Sequence, residues 1–194
     1  VLNDNNYRDS GFKLDFMEEL FLMLDDSKYL KIPAIAVNYY AIKSYRDIDD
    51  DESLYKFRDL LYKHGKQIGS EAEWVLHSIL VTCCVARSEL GKEEFLNEAH
   101  EVQKRQLKKG FCYARGFFLP MFFDYICMIA LDMGNITFVE KFIEKYKEDL
   151  PPAEKENVLN YNYSRLFQYK GEHEKALDLI SKMGYRDLPR GTSI

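Results

Sequence analysis

The amino-acid sequence predicts an all-α fold built from helix–turn–helix pairs. Only 5 Pro and 10 Gly interrupt the 194 residues, so long windows are open to helix formation. Within these windows apolar residues recur at three- and four-residue spacing, whereas strand-like alternation of useful length is not found. The pairs repeat at roughly 40 residues, a period typical of solenoids. We therefore expect about four hairpins preceded by one N-terminal helix.

The predicted N-terminal helix covers residues 12–24, which read FKLDFMEELFLML. Apolar side chains occur almost all around it, and this pattern is typical of a helix that is sandwiched between neighbours. The first hairpin follows at about 29–68, and Lys31-Ile32-Pro33 opens its first helix. Gly69-Ser70 ends its second helix. Between the two helices runs an acidic segment, Asp47–Glu52.

We interpret Asp47–Glu52 as a solvated connection whose carboxylates favour the N-terminus of the next helix. Calcium binding is the alternative interpretation. A calcium loop of the common kind would need a Gly and spaced ligands with a closing Glu, and the segment has neither.

Three further hairpins complete the predicted array. Each has one glycine at its inner turn, and Pro152 is expected at the first helical position of the last hairpin. The most apolar helix is expected at 117–133. The hairpins cover about 70–109, 117–150 and 152–183, with inner turns at Gly91, Gly134 and Gly171. The whole of 1–194 is predicted to be a single domain, and Val1 in place of Met indicates an excerpt of a longer chain.

Composition and charge narrow the classes of function. A net charge of -5 argues against a general nucleic-acid binder, which would have a basic excess. No run approaches 18 apolar residues, so we expect no membrane span and no membrane partner. Four cysteines without C-x-x-C spacing are interpreted as buried small side chains, not metal ligands or a redox pair: Cys83, Cys84, Cys112 and Cys127. This use of cysteine indicates a reducing compartment, most simply the cytoplasm.

No catalytic motif is present in the sequence. Of the histidines, His64 and His173 fall near helix ends or turns, and His77 is expected to be a packing residue on an apolar helix. Neither His77 nor His100 belongs to H-E-x-x-H, and Walker and G-x-S-x-G motifs are absent. We therefore expect no enzyme, no cofactor and no metal. An all-helical hydrolase stays open as a third hypothesis, which requires His77 or His100 beside an Asp or Glu.

A basic run surrounds Gly110 and has two interpretations. It can be a solvated face that compensates the helix dipole, which we favour, or a patch for an acidic peptide or a phosphate. The run consists of Lys104, Arg105, Lys108, Lys109 and Arg115.

From Leu119 onward the hairpins resemble degenerate tetratricopeptide repeats, whose pattern is W-x₂-L-G-x₂-Y, then A-x₃-F, then Pro. In the third hairpin the matching residues are Phe123, Ile126, Cys127, Ala130, Val139, Ile143 and Pro151. In the fourth they are Asn160, Tyr163, Ser164, Phe167, Ala176 and Ile180. Residue classes at the packing positions are kept, although the signature Trp, Gly and Tyr are replaced. The resemblance covers most of residues 29–184.

The resemblance implies a right-handed superhelix in which the first helix of each hairpin lines a concave groove. Protein or peptide recognition is the usual role of that family. The groove residues of the last two hairpins would be Asp124, Tyr125, Met128, Tyr161, Asn162 and Arg165. The family's carboxylate-gripping groove does not fit well, since Asp124 would repel a carboxylate and the lysines are missing. Tyr and Met favour an apolar or aromatic peptide. Alternatively, these tyrosines pack against a further helix.

The leading hypothesis is a non-catalytic protein-interaction scaffold that binds a peptide or protein segment in this groove. The alternative is a sensor or regulatory domain of a transcription factor or signalling kinase whose effector domain lies outside the sequence. An open end of the array needs a cover, because each hairpin buries an apolar face against its neighbour. We expect the chain's own tail or self-association to cover the apolar end of the last hairpin, formed by Leu177, Leu179, Ile180 and Met183.

Overall fold

The computed structural model describes residues 17–25 and 28–183, and this part of the chain is mostly helical. Helices make up 79% of it, so the predicted all-α class is confirmed at the level of secondary structure. The described part also contains two 3₁₀ turns, Lys28–Lys31 and Lys147–Asp149. It has two short strands, β1 (Tyr113–Ala114) and β2 (Phe117–Phe118). The nine described α-helices are α1 (Met17–Leu24), α2 (Pro33–Arg46), α3 (Asp51–Ile68), α4 (Ser70–Glu89), α5 (Glu94–Lys109), α6 (Pro120–Asp132), α7 (Ile136–Tyr146), α8 (Lys155–Tyr169) and α9 (His173–Ser181).

The chain divides into two compact units, where the sequence predicts one domain over 1–194. The division falls between Val102 and Gln103, inside α5. The first unit contains α1 to α4 and the start of α5. The second unit contains the end of α5, the β1–β2 hairpin and α6 to α9.

Helix α1 differs from the prediction of a sandwiched helix. None of the residues Met17–Leu24 is buried, and Leu22 remains 76% exposed. One face of α1 meets α2, where the rings of Phe21 and Tyr39 lie 5.2 Å apart. The prediction of a sandwiched helix was wrong for these residues. Apolar side chains all around a helix are buried only if neighbouring elements cover every side of it. The remaining part of the predicted helix, residues 12–16, lies outside the described residues.

In the first unit, α2, α3 and α4 all contact one another. Their core is formed by fully buried side chains such as Val37, Phe57 and Leu61. Helix α3 also meets the start of α5: the rings of Tyr55 and Phe95 stack at 5.8 Å, and one turn later Arg58 donates to Glu98 at 3.0 Å. Because both contacts advance in the same direction along the chain, α3 and α5 run parallel.

A buried arginine on α4 holds the connection between α2 and α3. The guanidinium of Arg87 is fully buried and donates to Asp51 Oδ1 at 3.0 Å. It also donates to the backbone carbonyls of Asp47 and Asp50, both at 3.0 Å, and to the carbonyl of Ser44 at 3.2 Å. A buried charge needs such partners. The acidic segment is therefore tied to α4 and is more than a solvated connection.

The same acidic segment begins α3 as the sequence predicts. Asp50 is the N-cap residue, and its carboxylate accepts hydrogen bonds from the Ser53 backbone N–H at 2.9 Å and the Ser53 hydroxyl at 2.6 Å. These bonds lower the pKa of Asp50, an effect that burial opposes. The carboxylate stays ionised at the positive end of the helix dipole.

In the second unit, α6 contacts α7 and α8, α7 contacts α8, and α8 contacts α9. Phe118 from β2 is fully buried and places its ring 5.6 Å from Phe123 and 5.8 Å from Phe142. The rings of Phe142 and Tyr146 lie 4.9 Å apart on α7. This aromatic cluster packs the β-hairpin against α6 and α7.

The predicted helix at 117–133 begins later than expected. Residues 117–118 form β2, which pairs antiparallel with β1 through a turn at Arg115 (φ 52°) and Gly116 (φ 85°). Positive φ at both turn residues is the geometry that matches the twist of a two-residue hairpin. Leu119 is extended because Pro120 follows it, and Pro120 starts α6. The prediction was therefore wrong for 117–119.

The start of α8 also differs from the prediction, which placed Pro152 at the first helical position. Helix α8 begins at Lys155, three residues later. The carbonyl of Pro151 accepts hydrogen bonds from the N–H groups of Glu154 at 3.0 Å and Lys155 at 2.9 Å, which closes a separate turn first. The inner-turn glycines Gly91, Gly134 and Gly171 all have positive φ, at 90°, 71° and 76°.

All four cysteines are free and buried, as the sequence predicts. Burial raises the pKa of the Cys112 thiol to about 12 and that of the Cys127 thiol well above its ordinary value. Such thiols are inert small side chains at neutral pH. Within the described residues, no helix is long and apolar enough to cross a membrane.

Candidate peptide-binding groove

The six predicted groove residues lie on two helices of the second unit that contact each other. Asp124, Tyr125 and Met128 are on α6, whereas Tyr161, Asn162 and Arg165 are on α8. On each helix, residues four apart share a face. Five of the six are half-buried, and Asn162 is fully buried. We call this set the candidate groove.

One contact in the candidate groove joins Asp124 to Asn162. The side-chain amide of Asn162 donates to Asp124 Oδ1 at 2.6 Å and to the Val158 carbonyl at 2.8 Å, so both amide hydrogens are used. The amide oxygen is buried and has no hydrogen-bond partner in the described part of the chain. Burial raises the pKa of Asp124 to about 6, although the Asn162 hydrogen bond and the Arg165 charge both oppose the rise.

A second contact adds two residues that the sequence prediction missed. Arg165 lies 3.9 Å from Asp132 Oδ1, and the Tyr169 hydroxyl donates to the same oxygen at 2.5 Å. The guanidinium of Arg165 also lies over the Tyr161 ring, 5.9 Å from its centroid. Asp132 continues the four-residue spacing of Asp124 and Met128, and Tyr169 continues that of Tyr161 and Arg165. Extending the four-residue spacing by one more turn on each helix would have predicted Asp132 and Tyr169 as groove residues.

The two contacts also define the relative direction of the helices. Asp124 on α6 pairs with Asn162 on α8, and Asp132, further along α6, pairs with Tyr169, further along α8. The two helices therefore run parallel. Helix α7 runs against α8, because the Tyr163 hydroxyl donates to Glu144 while Lys170 pairs with Glu140. Two parallel helices therefore bring their tyrosines and carboxyl groups to one surface.

The apolar part of the candidate groove is formed by Tyr125, Met128 and Tyr161, all half-buried. Burial raises the pKa of Tyr125, and the nearby Asp124 carboxylate and Tyr161 add to the rise. The hydroxyl of Tyr125 therefore stays neutral and able to donate a hydrogen bond, and it lies close to Asp124 and Tyr161. Half-buried Tyr and Met provide large contact area together with polar handles.

The histidines considered for chemistry are placed elsewhere. His77 is fully buried in α4, and its Nδ1 lies 2.8 Å from the Glu73 carbonyl oxygen of the same helix. Its ring lies 6.2 Å from that of Tyr62. His100 is buried in α5, and His64 Nδ1 lies 3.3 Å from Gln67 Oε1 at the surface. His77 has the surroundings of a packing histidine, as the sequence predicts.

The basic run around Gly110 extends from α5 into the β1–β2 turn. The Lys109 ammonium lies over the Phe111 ring, 5.6 Å from its centroid, and Arg115 occupies the first position of the hairpin turn. Lys104, Arg105 and Lys108 lie on α5. Among the described residues, no group of three His, Cys, Asp or Glu side chains could hold a metal ion. Whether the run binds an anion stays a prediction.

The apolar end of the last hairpin is partly uncovered. Leu177 is 65% exposed and Ile180 is 44% exposed on α9, whereas Met183 is 9% exposed. The tail that was expected to cover this end, residues 185–194, lies outside the described residues. The exposed part of the end face is therefore Leu177 and Ile180, and Met183 faces inward.

Comparison with known proteins finds no match: no family model, curated protein or solved structure is significantly similar to the chain.

Proposed function

We propose that the chain is a non-catalytic protein-interaction module that binds a peptide segment in the candidate groove. The observation that carries the proposal is the contact between two parallel helices, α6 and α8, at which the half-buried Tyr125 and Tyr161 lie next to Asp124 and Arg165. A peptide needs both apolar contact area and hydrogen-bonding groups for its backbone, and this surface offers both.

The architecture that we propose for the module is a right-handed, tetratricopeptide-like α-solenoid. Three features support it. Alternate helices run parallel in each unit, as with α3 and α5 or α6 and α8. Three inner turns have a glycine with positive φ at corresponding points. Helix α6 contacts both the next helix and the one after it, which is how stacked hairpins bury a continuous core.

The proposed setting is the cytoplasm, with a protein or peptide as partner and neither nucleic acid nor membrane. Four free, buried cysteines and a net charge of -5 support this setting. The exposed apolar side chains on α9 support self-association as a second kind of contact.

Selection from a phage-displayed peptide library, followed by affinity measurement on the purified chain, tests the groove. Tyr125→Ala and Tyr161→Ala are each expected to weaken the selected peptide about tenfold, since a half-buried aromatic contact is worth about 1–2 kcal/mol. Tyr45→Ala, on the exposed surface of α2, is the matched control and should leave the affinity unchanged.

The melting temperature is measured for every variant. Groove variants that melt like the parent chain but lose the peptide support the proposal. A peptide that binds both groove variants as tightly as the parent, or that responds to Tyr45→Ala instead, would place the binding site elsewhere and refute the groove.

A further inference from the structure

We propose that the candidate groove anchors its peptide by a positively charged side chain, a lysine or an arginine, held against the Asp124 carboxylate beside Tyr125. The inference rests on the proposed function and specifies the chemistry of the ligand. It is the opposite of a carboxylate-gripping groove.

The first argument compares two carboxylates that share one row of α6. Asp132 is matched by a cation and an aromatic hydroxyl, because Arg165 lies 3.9 Å away and Tyr169 donates at 2.5 Å. Asp124, two turns earlier, also has a tyrosine close by, Tyr125. In the described part of the chain no lysine or arginine forms an ion pair with Asp124. Asp124 is within reach of the Arg165 charge but, unlike Asp132, forms no ion pair with it.

The second argument is the polar group next to Asp124. The amide of Asn162 is fully buried and gives both hydrogens away, to Asp124 and to the Val158 carbonyl. Its oxygen is an acceptor without a donor in the described residues. This oxygen belongs to the same amide group whose N–H donates to Asp124. The Asp124 carboxylate, which accepts one hydrogen bond from this amide, keeps acceptor sites for a ligand that brings several N–H donors, as ammonium and guanidinium groups do.

The third argument is the local charge balance. Among the six candidate groove residues together with Asp132 and Tyr169, the charged side chains are Asp124, Asp132 and Arg165, which leaves one negative charge in excess. Of the other titratable neighbours, Tyr125 and Cys127 are neutral at physiological pH because burial raises the pKa of each. A half-buried carboxylate without an ion pair of its own is costly to the fold, and such groups occur mainly at functional sites.

The experiment titrates the ¹⁵N-labelled chain with small probes at constant ionic strength. The cationic probes are Nα-acetyl-lysine methylamide and Nα-acetyl-arginine methylamide. The neutral and anionic controls are the corresponding norleucine and glutamate compounds. The readout is the side-chain amide resonance of Asn162, which touches Asp124 directly. Both cationic probes are expected to shift it saturably, with about tenfold or greater preference over norleucine, the worth of one charge-assisted hydrogen bond.

Two variants and one pH series test the role of Asp124. Asp124→Asn keeps the shape of the side chain and should abolish the preference for cations. Glu148→Gln removes the same charge from a residue that is exposed on the second unit, and it should leave the preference intact. In the parent chain the preference should fade as the pH drops through about 6, where Asp124 takes up a proton. The norleucine probe should be insensitive to this pH change.

The outcomes separate the two proposals. Norleucine binding as well as the cations, glutamate binding best, or Asp124→Asn keeping the preference would each overturn the cation site. Heptapeptides with a central Lys, Arg, norleucine or Glu between Tyr and Leu residues then test the groove itself. Small cations that bind while no peptide does would leave the cation site standing and refute the peptide function.

Discussion

At Asp124, the position of a single carboxyl group couples the stability of the second unit to pH. Burial raises its pKa from 3.8 to about 6 in the folded chain. Above about pH 6 the folded protein holds the charge at a desolvation cost, whereas below about pH 4 the carboxyl is protonated in both the folded and unfolded states. The contribution of Asp124 to folding is therefore most favourable in acid and is lost as the pH rises through its folded pKa.

Asp124→Asn is expected to raise the free energy of unfolding at pH 8 by about 2–3 kcal/mol, since a shift of two pKa units corresponds to roughly 1.4 kcal/mol per unit. The new amide can also donate to the Asn162 oxygen, which lacks a donor among the described residues. Urea unfolding at pH 8 and near pH 4 measures the difference.

The gain from Asp124→Asn should shrink toward pH 4, where the acid is already neutral. Asp132→Asn is the control, because Asp132 is paired with Arg165 and Tyr169 and its loss should destabilise at pH 8. An equal gain from Asp124→Asn at both pH values would show that ionisation of this residue is not the cause.

Among the elements of the first unit, the α2–α3 connection depends on α4 through Arg87. The guanidinium makes five hydrogen bonds, to the carboxylate of Asp51 and to four backbone carbonyls. Three of these carbonyls belong to Ser44, Asp47 and Asp50, at the end of α2 and in the loop that follows. A guanidinium offers five N–H donors spread over three nitrogens, whereas a lysine ammonium offers three donors on one nitrogen.

Arg87→Lys is expected to cost about 3–5 kcal/mol of stability, because buried acceptors lose their donors and a buried charge loses its partners. Chemical denaturation followed by circular dichroism measures this loss. The matched control is Arg46→Lys on α2, whose ion pair with Glu18 is exposed, and it should cost under about 1 kcal/mol. If both substitutions cost the same, the buried hydrogen bonds of Arg87 contribute no more than a surface pair.

On the scale of the whole molecule, apolar surface remains open on the terminal helices that the structure describes. Leu177 and Ile180 are 65% and 44% exposed on α9, and Leu22 is 76% exposed on α1. At about 25 cal/mol per Å², covering a few hundred Å² of such surface is worth several kcal/mol. Exposed apolar surface of this kind often marks a site of protein–protein contact.

We predict that the chain self-associates through the α9 face. Leu177→Glu combined with Ile180→Lys should lower the average mass in sedimentation equilibrium and leave the melting temperature of the dilute protein nearly unchanged. The corresponding pair on α1, Leu22→Glu with Met23→Lys, is the control and should not alter the mass. A chain that is monomeric before any substitution, or that dissociates only with the α1 pair, would contradict the prediction.

The sequence alone determined the features that depend on neighbours along the chain. Pro33 begins α2 because a proline tolerates the first helical position, and Gly91, Gly134 and Gly171 take the positive φ that their turns require. The same reasoning was wrong at 117–119. Pro120 begins α6 as Pro33 begins α2, but residues 117–118 before it form strand β2 and not a helical turn. Helices, their approximate ends and the residues on a common face could thus be predicted.

Tertiary structure alone decided which distant groups meet. Nothing local indicates that Arg87 takes its acceptors from residues about forty positions earlier, or that Asn162 pairs with Asp124 across two helices. The same holds for the division within α5 and for the open face of α1. The physical reason is that periodicity defines the face of a helix, whereas its partner depends on how helices pack in three dimensions. The charge left unpaired at Asp124 follows from that packing.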